Sequence, residues 1–177
     1  MSEVIAYYAK DNYWKVCFSY ISIYLNFQSF AVPGAAVLAM LSGPIFGAIP
    51  AFMISHICAV IGACVCYLIS RNLGAGFVQS RMPKKLAWFQ QKIDQNKHNL
   101  FYYFLFLRLT PIVPNWFLNA SSAIVGVPFS IFFITTLIGL VPYSAILINM
   151  GLALDQITTI GHDWNVSTNY IMLVNPL

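Results

Sequence analysis

An all-α polytopic membrane protein, built as an inverted repeat with two broken re-entrant segments, is the fold class this sequence predicts. Three observations carry that prediction. Of the 177 residues 59% are apolar and 8% are charged, against about 45–50% apolar and 25% charged in soluble domains, so too little charge is present to wet a globular surface. The wealth of aromatic and β-branched side chains equally excludes a disordered chain. Charge is missing altogether from Val16 to Ser70 and from Leu109 to Leu154, and each block far exceeds the ~20 residues that span a bilayer core. Pro and Gly interrupt both blocks in the same order. Pro33, Gly47, Pro50 and Gly62 are spaced by 14, 3 and 12 residues, and Pro114, Gly126, Pro128 and Gly139 by 12, 2 and 11, the pattern of a degenerate internal repeat.

In chain order, residues 1–12 are a short cytoplasmic N-terminus and 13–167 the membrane domain. The first helix spans about Tyr13 to Ala31, and its apolar run, Val16 to Val32, stands behind Lys10 and Lys15. That run resembles a signal-peptide core, but the apolar chain continues, which favours a retained anchor. Proline removes a backbone donor and clashes with the preceding turn, so 33–50 and 111–128 are not straight helices. Broken backbone at membrane depth is tolerated only when buried in protein or lining a watery cavity. Both stretches therefore read as re-entrant segments, although two plain crossings joined by a tight turn satisfy the same hydropathy. A helix from Ala51 to Ser70 carries a small-residue stripe, Ala51, Ser55, Ala59 and Ala63, suited to close helix approach. In the second block Phe129 to Met150 is the corresponding helix, with a kink expected at Pro142. Asp155, His162 and Asp163 mark a loop beyond it. Residues 168–177 are then an incomplete final membrane segment, as in a fragment or a truncated isoform.

Orientation follows from charge. The net charge of +4 comes mostly from 71–99, where Arg71, Arg81, Lys84, Lys85, Lys92 and Lys97 face Asp94 alone. Lys and Arg collect in cytoplasmic loops, so 71–99 is placed in the cytoplasm and the acidic stretch on the far side. The two halves are then inverted, a plan that recurs in proteins moving substrates across bilayers. Within the basic loop, Arg81-Met82-Pro83 opens a helix with Leu86, Phe89 and Ile93 on one side. Such a helix either lies on an anionic leaflet or is a solvated, topology-setting element. No interleaving of aromatic and basic residues suits it to nucleic acid.

Few residues are candidates for chemistry. The four cysteines, Cys17, Cys58, Cys64 and Cys66, all fall in the first apolar block. Without C-x2-C spacing or partner histidines they read as buried thiols, not as a metal site or a disulfide framework. Enzyme signatures are absent, and no acidic cluster offers to hold a metal, so an enzyme is not expected and neither is a cofactor. Arg108 is the one charge in FLRLTPIVPNWFLNASSAIVGVP. A central membrane Arg costs about 2.5–3.5 kcal/mol, so it faces protein, water or a lipid phosphate, unless it snorkels to the interface. Asn115, Asn119, Ser121 and Ser122 supply uncharged donors and acceptors, for ligand or for bracing the broken backbone. His56 reads as a satisfied core histidine.

Those strings bring a family into view. FQSFAVPGAAVLAMLSGPIFG from Phe27, GACVCYLISRNLG from Gly62, and FLRLTPIVPNWFLNASSAIVGVPFSIFF from Phe106 resemble the transmembrane protein 41 family of the DedA, or VTT-domain, superfamily, over about Tyr13 to Trp164. The most specific stretch is Arg108, Pro111, Pro114, Asn115, Trp116, Phe117 and Asn119. The resemblance implies two opposed re-entrant segments, residence in the endoplasmic reticulum, ATP-independent movement of phospholipid between leaflets, and roles in autophagosome formation and lipid mobilisation. Two departures stand out: the first re-entrant, FAVPGAA, lacks the intramembrane acid that bacterial relatives are thought to use for proton coupling, and the family's last full helix and polar tail are missing. The expected function is a passive phospholipid scramblase whose head-group pathway uses Arg108, Pro111, Pro114, Asn115, Asn119, Pro33 and Gly34. Its partners are phospholipids and homo- or hetero-oligomers with related VTT-domain proteins, with no nucleic acid. An ion-coupled transporter of the DedA type and a membrane scaffold docking partners through the basic loop are the alternatives.

Overall fold

The structure, a computed structural model of the chain, describes residues 12–32, 34–74, 80–110 and 113–174, with side chains up to residue 157. Pro33, Pro111 and Ile112 thus lie outside the described residues. The described residues are helical throughout, with no strand: α1 (Tyr13–Ser29), α2 (Ala35–Phe46), α3 (Ala48–Ile69), α4 (Pro83–Gln95), α5 (Leu100–Leu109), α6 (Asn115–Ser121) and α7 (Phe129–Val174). A π-helical turn, Ser70–Gly74, continues α3, and a 3-10 turn, Lys97–Asn99, precedes α5.

Both Pro/Gly-rich stretches are broken, and the breaks correspond. Gly47 separates α2 from α3 at φ +80°, and Gly126 precedes α7 at φ +79°. A β-carbon at either would meet nothing within 4 Å, so conformation rather than space selects glycine there. Pro44 is carried inside α2, while Pro50 falls in the first turn of α3, where its missing N–H costs little. At 1.5 Å per residue, the 12 residues of α2, 10 of α5 and 7 of α6 are each too short to cross a ~30 Å hydrocarbon core alone.

Among the described residues two helices are long and apolar enough to cross, Ala48–Leu73 and Phe129–Ile157. Their faces are sorted for lipid. On α3 the large side chains Ile49, Met53, Ile57, Ile61, Val65 and Leu68 are exposed, whereas Ala51, Ser55, Ala59 and Ala63 are buried. On α7, Phe133, Leu137 and Val141 face out while Thr135 and Thr136 are fully buried, each donating its hydroxyl to the carbonyl of Phe132. Small and polar residues inside, large apolar ones outside, is the arrangement water penalises and a bilayer accepts.

Helix α7 packs against α2, α3 and α5, and α1 packs against α3. At Gly151 the helices α7 and α2 approach so closely that a β-carbon would stand 1.9 Å from the Met40 carbonyl oxygen. A polar ladder ties the first half together: Tyr20 Oη and Ser55 Oγ are 2.7 Å apart, Ser55 Oγ donates to Ser42 Oγ at 3.0 Å, and Ser42 Oγ donates to the Ala39 carbonyl at 2.7 Å. The cysteines Cys17, Cys58 and Cys66 are buried, Cys64 is half-buried, and all four are free.

Two sequence expectations change. The stretch holding Asp155, His162 and Asp163 is helical backbone within α7, not a loop. Charge suggested a boundary there, but no proline lies between Pro142 and Pro176 to enforce one. The basic helix α4 forms as expected, but Leu86, Phe89 and Ile93 are buried in the protein's own core, and Gln90 Nε2 donates to the Val125 carbonyl at 3.2 Å. Its apolar face therefore meets protein and not a leaflet. At its C-terminal end Lys97 and Asp94 pair at 2.8 Å, holding the Asp94 carboxyl below its ordinary range; the pair is exposed and adds little to stability.

Candidate functional site

A cavity of about 270 Å³ lies between the two halves. The first half contributes Gln28 and Gly34, the second Pro114, Asn115, Tyr143 and Ser144, with small apolar residues such as Ala39 and Ala59 forming the remaining wall. Gly34, Pro114 and Asn115, separated by some eighty positions in sequence, thus meet at one surface. Asn115 stands there because the helix α6 restarts at that residue after Pro114, whose carbonyl accepts from the N–H groups of Phe117 and Leu118.

Arg108 is not part of the cavity wall. It is 6% exposed, so its head group does not snorkel to an interface, and it stands behind Asn115. Its Nη1 donates to Asn115 Oδ1 and, at 2.8 Å, to Asn119 Oδ1. The guanidinium carbon lies 4.7 Å from the Phe132 ring centroid and 5.4 Å from that of Phe104, close enough for cation–π attraction. Arg108 Nε and Nη2 and Asn119 Nδ2 are nevertheless buried without a hydrogen-bond partner among the described residues. The centre is a buried cation with spare donors, the chemistry that suits an anion, and Asn115 connects it to the cavity.

Ser121 and Ser122 are braces: their hydroxyls donate to the Phe117 and Leu118 carbonyls within α6 and its end. His56 is a satisfied core residue, stacked on Phe52 with ring centroids 5.4 Å apart. Its Nε2 donates to the Leu137 carbonyl at 3.1 Å, which leaves Nδ1 to accept from Ser144 Oγ at 3.4 Å.

Gln28 is the residue sequence reasoning passed over. It is 8% exposed, lines the cavity, and donates through Nε2 to the Ala59 carbonyl at 3.5 Å. The repeat held the signal. A β-carbon on Gly62 would lie 2.6 Å from Gln28 Cβ, and one on Gly139, its repeat partner, 2.5 Å from Arg108 Cβ. Gln28 in the first half and Arg108 in the second therefore occupy equivalent places, each seated on the glycine of the following long helix.

Apolar helices sorted for lipid, two halves of one plan and, between them, a cavity with a few polar groups on a largely apolar wall define an α-helical integral membrane protein with a solute-sized site at the junction of its repeats. The chain belongs to the VTT domain family, which matches residues 32–153. It is 35% identical to an uncharacterized membrane protein of Arabidopsis thaliana over 174 residues, 98% of this chain and 61% of that protein. It is 32% identical to transmembrane protein 41B of Homo sapiens over 98% of this chain and 60% of that protein. With the transmembrane protein 41 homolog of Caenorhabditis elegans the identity is 35% over 95% of this chain and 68% of that protein. The chain thus spans about 60% of the length of the first two relatives. No solved structure matches it significantly.

Proposed function

We propose that this chain forms the lipid-exchange core of a phospholipid scramblase of the endoplasmic reticulum membrane, moving lipids passively between leaflets in support of autophagosome formation and lipid mobilisation. The observation that carries the reading is the cavity between the halves, lined by Gln28, Asn115, Tyr143 and Ser144 and backed by the buried Arg108. Dragging an uncompensated polar or charged group into hydrocarbon costs several kcal/mol. Side-chain amides and hydroxyls in the cavity stand in for water, while acyl tails stay in lipid. Asn115 meets the head group first, and Arg108 positions it, reaching the phosphate when Asn115 turns aside. The stretches 33–50 and 111–128 act as opposed re-entrants from the two leaflets, with 71–99 in the cytoplasm. Pro33 and Pro111 belong to this proposed pathway through the chemistry of proline, which supplies no backbone donor.

Ion coupling is the weaker reading because neither apolar block holds an Asp or Glu to bind and release a proton. Docking of partners through the basic loop is also weaker, because α4 turns its apolar face onto its own core. The test is reconstitution of the chain into liposomes carrying a leaflet-specific lipid probe. Exchange should accelerate in both directions without ATP or a pH gradient. Folded protein that leaves exchange at the bare-liposome rate, or that requires a gradient, overturns the proposal.

A further inference from the structure

A second pocket, of about 240 Å³, lies against the other side of the Pro114–Trp116 segment, which it shares with the central cavity. Its walls are Pro114, Trp116, Phe117 and Val113 from the second broken segment, with Lys85 and Trp88 from α4. Lys85 and Trp88 are three residues apart and so share one side of that helix. Packing fixes the opposite wall: Phe89, fully buried under α4, lies 5.8 Å from Phe117, and Phe117 meets Trp116 edge-on at 5.9 Å. The buried face of α4 therefore does for the pocket what it does not do for a leaflet. It keeps Trp88 on the wall of the pocket that Trp116 also lines.

We infer that this pocket is an entry site for the phosphocholine head group of a phospholipid, with the phosphate on Lys85 and the quaternary ammonium between Trp88 and Trp116. The inference rests on the lipid-exchange reading for its purpose, since the pocket adjoins the central cavity, but its chemistry is read from its own walls. A quaternary ammonium is a cation with an apolar surface and no N–H, the ligand that indole faces hold best. The primary ammonium of ethanolamine or serine brings three donors that need acceptors. Among the described residues the walls offer no carboxylate, and the Pro114 carbonyl already accepts two backbone N–H groups, from Phe117 at 3.0 Å and Leu118 at 3.2 Å. Choline fits where ethanolamine would be left unsatisfied. The single cation, Lys85, is placed to neutralise the phosphate.

Isothermal titration of the full chain in maltoside detergent, with dihexanoyl lipids as probes, tests this without requiring exchange. Dihexanoyl-phosphatidylcholine should bind roughly tenfold more tightly than its ethanolamine counterpart, the factor a partly desolvated cation–π contact supplies. Trp88→Leu should abolish that ratio and Trp88→Tyr should keep most of it. Lys85→Gln should weaken both lipids several-fold and leave the ratio intact. Both positions are exposed, so the variants fold. Equal affinity for the two lipids in the unaltered chain, a ratio that survives Trp88→Leu, or equally tight binding of head-group-free dihexanoylglycerol would each overturn the inference, the last by assigning the pocket to an acyl chain. A choline preference in binding together with no exchange in liposomes would leave this site standing and refute the scramblase reading instead.

Discussion

Replacing Arg108 by Met and Asn119 by Leu together should leave the fold as stable or make it more stable while slowing lipid exchange. The pair of changes removes the buried charge and the amide that holds it, and puts apolar side chains in their place. The loss is two hydrogen bonds from the charged Nη1, to Asn115 and Asn119, each worth about 1.5–3 kcal/mol, hence about 3–6 kcal/mol. The gain is three buried nitrogens, Arg108 Nε, Arg108 Nη2 and Asn119 Nδ2, that have no partner among the described residues, each costing about 1–3 kcal/mol to leave unsatisfied, hence about 3–9 kcal/mol. Asn115 lines the cavity and finds water when released. The central values, about 4.5 kcal/mol lost and about 6 kcal/mol regained, leave a small net stabilisation inside a span from about 3 kcal/mol of destabilisation to about 6 kcal/mol of stabilisation, in line with the exchange of buried ionic clusters for apolar residues. Arg108→Met alone should cost a few kcal/mol, because it loses both hydrogen bonds and strands Asn119 Oδ1 while removing only two orphaned donors. Thermal unfolding of the purified chain in detergent, beside its exchange rate in liposomes, reads both sides. A melting temperature clearly below that of the unaltered chain for the double variant would show that the cluster is structural glue. Unimpaired exchange would show that nothing is gained by retaining it.

Two further outcomes are expected. Gly151→Ala places a β-carbon 1.9 Å from the Met40 carbonyl oxygen, so α2 and α7 must separate; overpacking of this kind costs about 1–3 kcal/mol or more, and the melting temperature should fall by several degrees, a shift whose absence would mean the two helices do not cross there. His56→Gln should leave exchange within about twofold of the unaltered chain and indifferent to pH gradients, because His56 is already held by Leu137 and Ser144; gradient-dependent exchange lost in this variant would favour a coupled transporter.

How much of this was legible in the sequence depends on which residues carry the information. The breaks at Gly47 and Gly126 could be read because proline and glycine act locally: a fixed φ, a missing donor and a positive φ need no distant partner. The buried face of α4 was legible as a periodicity of Leu86, Phe89 and Ile93, but periodicity does not name the surface that covers it, and Phe117 lies well along the chain. The placement of Arg108 depended on two competing costs, a snorkelled charge and a buried one, and Asn119, eleven positions on, decides between them. The far end of the last helix was misread for a related reason. Charged residues suggest a polar environment, but backbone helicity tolerates Asp155 and His162 where no proline intervenes.

The repeat also explains why the site is lopsided. Its backbone plan is the same twice: a long helix preceded by a positive-φ glycine, with a second glycine that admits a β-carbon from the segment before the break. Gln28 and Arg108 fill that equivalent place. In the first half the long polar side chain is neutral and enters the cavity directly; in the second it is charged, lies deeper, and reaches the cavity only through Asn115. A pathway with a cation in both halves would hold a phosphate at two wells and release it slowly from each. With one cation at these two places, screened by an amide, a head group on the proposed pathway would meet a shallow attraction on one side and only dipoles on the other. Passive exchange in both directions requires binding favourable enough to admit a head group and weak enough to let it leave, and the substitution of Gln for Arg at one of two equivalent positions is a physical route to that balance.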